Sequence, residues 1–195
     1  MEEFDRQTEH VEEHLHEKAH ETRERWVTGV ALTAAILAAF AAVSSLLSGH
    51  HEHEAMLEQV QSSDQWNYYQ AKGIKAAVLE ERLENLQLNG QAPAAAQQKK
   101  LAEYKNQQAE INKKANEMQA SSKFHDHLHL IFAFAVTLFQ VAIAVAAISA
   151  LARRQAFWYV GIIIGCIAVG FLAKGLIEWN HGPAEQEIVA TDGHG

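Results

Sequence analysis

The chain has 195 residues, is 48% hydrophobic and carries a formal net charge of −8. That acidic balance argues against nucleic acid as a partner, which needs a basic face. The single cysteine, Cys166, excludes an intramolecular disulfide and leaves the redox compartment open.

The apolar residues are gathered into three blocks rather than spread periodically, which points to a membrane protein instead of one ordinary globular domain. Residues 1–25 form an acidic, histidine-rich arm with only a weak apolar stripe at Phe4, Val11 and Leu15, and its Lys18, Arg23 and Arg25 gather beside the first block. No secretory leader is expected, because the first apolar core is too long and starts too late.

Residues 26–48, 128–152 and 156–178 each contain a run of roughly 20 apolar residues, long enough to cross the hydrocarbon as a helix. Trp26, the Phe157-Trp158-Tyr159 run and Trp179 sit at the ends of these runs, where amphipathic rings settle among headgroups. Residues 153–155 form a short basic loop holding Arg153 and Arg154, and residues 179–195 a polar tail. Basic residues near the span ends face the cytoplasm. The N-terminus and the basic loop are therefore expected inside, with the hairpin and C-terminus outside.

Between the first two spans, residues 49–127 are expected to form an extramembrane helical hairpin, giving an all-α, three-span membrane protein with a coiled-coil-like insert. On the second arm Leu101, Tyr104, Gln108, Ile111, Ala115 and Met118 alternate spacings of three and four, the seam of a helix that meets one partner. The first arm repeats the pattern less cleanly through Ala76, Leu79, Leu83 and Leu86, with Trp66 and Tyr69 after a slip and Met56, Leu57 and Val60 nearest the span. The turn lies at 89–93, where Gly90 supplies a left-handed residue and Pro93 cannot continue a helix. Folding there puts residues whose numbers add to about 183 at one height: Leu79 with Tyr104, Leu83 near Leu101, and Trp66 and Tyr69 with Met118 and Ala115.

The segment Ser63-Asp64-Gln65-Trp66-Asn67-Tyr68-Tyr69-Gln70-Ala71-Lys72-Gly73-Ile74-Lys75, following an Ala-rich span that ends Ser44-Ser45-Leu46-Leu47, resembles the membrane-protein family called domain of unknown function 4337. The resemblance covers most of the chain. It implies a bacterial inner-membrane protein and supplies no activity, cofactor or catalytic residue. The histidine clusters are not part of the likeness.

Those clusters, His50-His51-Glu52-His53-Glu54 and His125-Asp126-His127-Leu128-His129, are the strongest candidates for chemistry. In the 183 register Glu54 lies level with His129 and Glu58 with His125. Carboxylates on one helix facing imidazoles on another build divalent metal sites in bundles, so His50, His53, Glu54, Glu58, His125 and His129 are candidate ligands for zinc or a similar ion, with His181 a further one. The simpler and preferred reading is that they are hydrated boundary residues. The i, i+4 pairs His10/His14 and His16/His20 read as a solvated face of the arm, with weak metal binding or titration as the alternative.

Gln140 lies near the middle of the second span and must find a partner in lipid. Gly161 and Gly165, joined by Gly170, form a small-residue notch for close helix contact. Lys174 and Glu178 are spaced to pair. Trp66 and Tyr69 belong to the seam, whereas Tyr68 points away from it.

No nucleophile beside a base, phosphate-cradling loop or dinucleotide fingerprint is present, so an enzyme is not expected. Two readings follow. One is a structural or interaction protein that forms a homo-oligomer in the lipid bilayer through its hairpin and spans. The alternative is a metal-binding sensor or ion-path protein.

Overall fold

The computed structural model describes residues 2–92 and 94–182, with side chains from Trp26 onward. The side chains of the N-terminal histidine pairs, Pro93 and the tail from residue 183 lie outside what is described. The fold is all-helical, in the order α1 (Glu2–Leu88), α2 (Ala95–Ala152) and α3 (Gln155–His181). All three are long and apolar enough to cross a membrane. No break separates the first apolar block from the first hairpin arm, nor the second arm from the second block: each pair is one helix. Two compact units nonetheless divide the chain, at Ser48/Gly49, His129/Leu130 and Glu178/Trp179.

The first unit holds the apolar parts of all three helices, and its packing is inside-out by the standard of a water-soluble bundle. The interior is lined at seven-residue intervals by Val30, Leu37 and Ser44 on α1, and by Phe132, Phe139 and Ala146 with Ala135, Ala142 and Ser149 on α2. On α3 the buried positions are Gly161, Gly165, Ala168, Leu172 and Gly175. Large aliphatic side chains such as Leu32, Leu46, Leu151 and Ile163 point outward, from 60 to 87% exposed.

Small residues let the backbones approach. A Cβ on Gly161 would stand 3.1 Å from the Ala142 carbonyl oxygen, and one on Gly175 2.7 Å from the buried Phe132 ring. Gly165 accepts Leu37 in the same way, so both expected notch glycines are in the interior. Gly170 is not. It faces open space, one helical side away, and Gly175 takes its place. Trp158 lies over Gly29 and its indole N–H donates to Thr33 Oγ1 at 3.3 Å. Lys174 and Glu178 pair as their spacing predicts, at 3.6 Å. Gln140 is exposed on α2 and finds no partner among the described residues.

The second unit is the hairpin. At its tip, Gly90 adopts φ +71°, the Gly90 amide donates to the Gln87 carbonyl, and the Gln91 amide donates to the Leu86 carbonyl. These are the two bonds of a Schellman cap, which satisfies carbonyls that the end of a helix leaves open. A similar reversal ends α2, where the Arg154 amide donates to Ser149 and Arg153 takes φ 54°. A left-handed arginine bears a cost of roughly 1 kcal/mol that glycine would not.

The arms run antiparallel along a seam of small residues. Ser62 Oγ donates to the Ala115 carbonyl at 3.0 Å, and Ser122 Oγ donates to the Ala55 carbonyl at 2.8 Å. One turn family further on, Gln108 Nε2 donates to the Tyr69 carbonyl. In all three pairs the residue numbers add to 177, so the 183 register is displaced by six residues. The cause is at the tip. The last turn of α1 overhangs the start of α2, leaving Leu88 79% exposed while Leu83 is buried. Lys105 still reaches Glu80 at 2.7 Å. Helical side chains lean toward their own N-terminus, so in an antiparallel pair these two lean toward each other.

Of the expected seam, Leu83, Ile111 and Ala115 are buried, and Trp66, Tyr69, Leu79, Leu101, Tyr104, Gln108 and Met118 are half-buried. Met56, Leu57 and Val60 are not in the seam: they are 63, 43 and 61% exposed, and Ala55 and Ser62 occupy it instead. Trp66 and Tyr69 meet edge to face with centroids 5.6 Å apart. Tyr69 is level with Gln108, not with Ala115. Tyr68 points outward as expected, with the Lys72 ammonium 5.2 Å from its ring.

Two measurements check this packing. In a Cys166→Ala background, the pair Ser62→Cys with Ala115→Cys is expected to oxidise to an intrachain disulfide. Tyr69→Cys with Ala115→Cys, which the 183 register would favour, is expected to stay reduced. Gly175→Ala and Gly161→Ala are expected to destabilise the detergent-purified protein by about 1–3 kcal/mol through overpacking. Gly170→Ala is expected to be neutral or to raise the melting midpoint.

Candidate functional site: a buried histidine pair

The 177 register decides which histidines meet. His51 lies two residues past Gly49, on the seam side of α1 and four residues before Ala55. It is fully buried, whereas its neighbours His50 and His53 are exposed. Across the seam stands His125, three residues past Ser122. The two Nδ1 atoms are 2.9 Å apart, and the rings stack with centroids 5.2 Å apart at 29°.

Two further rings close the cluster. Trp179 of α3 presents its edge to His51 at 88° and 5.2 Å, and Phe124 meets His125 edge to face. His50 lies 5.3 Å from His51 and 6.4 Å from Trp179, centroid to centroid.

A hydrogen bond between two Nδ1 atoms has one consequence. One ring must carry the proton there and the other must be bare, since a neutral imidazole has one donor and one acceptor nitrogen. Adding a proton to the bare nitrogen would set two N–H groups against each other. Burial therefore pushes the His51 pKa down from 6.5 to about 4, helped by His125, His50 and His129 and opposed by the Glu54 carboxylate. The pair is built to hold one proton between two rings and to refuse a second.

The metal arrangement expected from the other register does not form. Glu58 is level with Ser121, whose hydroxyl donates to its Oε1 at 2.8 Å. His125 has turned its Nδ1 to His51. His50, His53 and His181 are exposed, and Glu54 and His129 are half-buried. Among the described residues no group of three or more His, Cys, Asp or Glu is disposed to hold an ion. His51, absent from the expected ligand set, is the residue at the centre of the cluster. Its signal was available in the sequence: it stands seven residues from Ser44 and four from Ala55, in phase with the buried small residues.

An all-helical chain with three helices fit to cross a membrane, two of them continuing into a hairpin, is the class defined by this fold. The sequence profile of one family, described as Domain of unknown function (DUF4337), matches residues 26–178. The chain belongs to that family. The match begins at Trp26 and ends at Glu178, so it takes in the hairpin, the histidine pair and all three apolar segments. No curated protein and no solved structure matches the chain.

The lowered pKa fixes the sign of a pH dependence. Between about 4 and 6.5 an unfolded His51 binds more protons than the folded one, so this contribution is complete above pH 6.5 and is lost as pH falls toward 4. The melting midpoint of the full chain in detergent should fall over that window. A His51→Gln variant should lose the excess slope. Equal slopes in the two proteins would show that the pair does not titrate with folding.

Proposed function

We propose that the protein is an integral membrane scaffold that self-associates and catalyses no reaction. The apolar parts of the three helices cross the bilayer, with the N-terminus and the Arg153-Arg154 turn on the cytoplasmic side and the hairpin and C-terminus outside an inner membrane. The inside-out packing of the first unit supports the crossing: small residues inside and large aliphatic ones outside suit a lipid solvent, which does not reward burying leucine.

One observation carries self-association. On the outer half of the hairpin, Ile74 and Val78 are 66 and 63% exposed, one turn apart, on the side of α1 opposite the buried Ala76 and Leu83. The proposal places them outside lipid, so water would face them unless a second copy covers them. Gln140 supports the same reading. Exposed in the middle of the second apolar segment, its amide needs a hydrogen-bond partner in the bilayer, and a second copy supplies one.

Crosslinking of the full chain in native membranes is expected to give dimers or higher species. Ile74→Lys with Val78→Lys should reduce them severalfold without lowering helicity. Monomer alone in the parent would remove the scaffold reading.

A further inference from the structure

An open groove of about 490 Å³ runs along the hairpin beside its closed seam, within the range of roughly 300–1,000 Å³ usual for ligand clefts. Glu52, Met56 and Val60 of α1 form one wall, and Lys123, Asp126 and His129 of α2 the other. All belong to the hairpin unit. Its lower end is at His129, where the apolar segment of α2 begins with Leu130.

The groove's chemistry is specific. It holds charges of both signs that are not spent on each other: among the described residues, Glu52, Lys123 and Asp126 form no ion pair. Lys123 and Asp126 are nevertheless spaced i, i+3, a distance at which such residues ordinarily pair. A ligand carrying a cation and an anion satisfies both at once. Two carboxylates against one ammonium make the groove attract the ligand's cation more strongly than its anion, which disfavours a purely anionic headgroup; those are drawn by clusters of Lys and Arg. The cation is a primary ammonium. A quaternary one is held by an aromatic cage, and the groove has none, whereas three N–H donors match two carboxylates.

We propose that the groove binds the phosphoethanolamine headgroup of a membrane phospholipid, with the ammonium on Glu52 and Asp126 and the phosphate on Lys123. This rests on the membrane reading above. It places a lipid site beside the histidine pair, on the same stretch of both helices.

The test uses the full chain in mild detergent, with phosphatidylethanolamine, phosphatidylglycerol and phosphatidylcholine of equal chain length offered in turn and occupancy read by native mass spectrometry. Phosphatidylethanolamine is expected to be retained at least roughly fivefold over the other two. Glu52→Gln with Asp126→Asn should abolish the preference, and Lys123→Ala alone should weaken it, with helicity and melting midpoint unchanged because all three side chains are exposed. Equal retention of the three lipids, or a preference indifferent to these variants, would overturn the proposal. Displacement of the lipid by soluble glycerophosphoethanolamine at equal concentration would assign the groove to a free aminophosphate and overturn the lipid assignment. An alkaline carbonate wash separates the two layers of inference. Release of the chain from membranes would sink the membrane reading, whereas a retained chain with no lipid preference would sink only the groove.

Discussion

The hairpin depends on two hydroxyls that trade places across its seam. Ser62 donates to the backbone of α2 at Ala115, and Ser122 donates to the backbone of α1 at Ala55. A helical carbonyl already accepts one N–H along its own helix and has a second lone pair to offer. Reaching it from a side chain as short as serine requires the two backbones to be close, and that requires alanine or serine at the contact. Both donors lie seven residues from an acceptor on their own helix, so the two bonds repeat one geometry a heptad apart. A slip of one residue breaks both at once and buries a hydroxyl with nothing to bond, at about 1–3 kcal/mol each. A seam of bulky aliphatic residues has no such penalty. Large side chains repack after a slip; a short hydroxyl aimed at a carbonyl does not.

Much of the architecture is legible in the sequence, and what is not legible has one cause. Element type, the turn at Gly90, the outward Tyr68, the Lys174–Glu178 pair and the roles of Gly161 and Gly165 all follow from periodicity and turn chemistry. Register does not. Large residues such as Leu79 and Tyr104 catch the eye as a seam, and a midpoint drawn through the turn then aligns them. Here the turn is lopsided, because α1 overhangs by its final turn, and the closest contacts belong to Ala and Ser, which carry little hydropathy signal. The same displacement misdirects the site. Six residues are 9 Å along a helix at about 1.5 Å per residue, enough to exchange a carboxylate–imidazole set for an imidazole–imidazole pair. Met56, Leu57 and Val60 are misplaced for the same reason, having been assigned to a face that Ala55 and Ser62 occupy.

The histidine pair follows from the seam. Ala55 and Ser122 hold the helices close, and His51 and His125 are the next residues inward on each side. At that separation two imidazoles fit only stacked, with nitrogen against nitrogen. Asn or Gln in the same place would bring an amide with two donors and an acceptor, which one facing residue cannot satisfy. Histidine is flat, accepts a single hydrogen bond on that edge and packs its faces against Trp179 and its neighbours. This geometry makes the pair a structural element in its neutral form and an unstable one in its doubly protonated form, so the end of the hairpin nearest the apolar segments is where acid would act first.

The two serine bonds also explain why the chain has so much left to bind with. A seam built from alanine and serine buries little apolar area, and at roughly 25 cal/mol per Å² it draws less from the hydrophobic effect than a leucine seam would. Specificity comes from hydrogen bonds, while the large side chains remain outside: Met56 and Val60 at the groove, Ile74 and Val78 further out, and leucines and isoleucines around the apolar unit. In water that would be a liability. On the proposed reading, with the apolar unit in lipid and the hairpin meeting copies of itself, it is a division of labour, with small residues setting the internal register and large ones left free for the surroundings. Arg153 fits the same logic. Glycine would relieve its left-handed backbone, but in the proposed topology the charged side chain holds that turn on the cytoplasmic side.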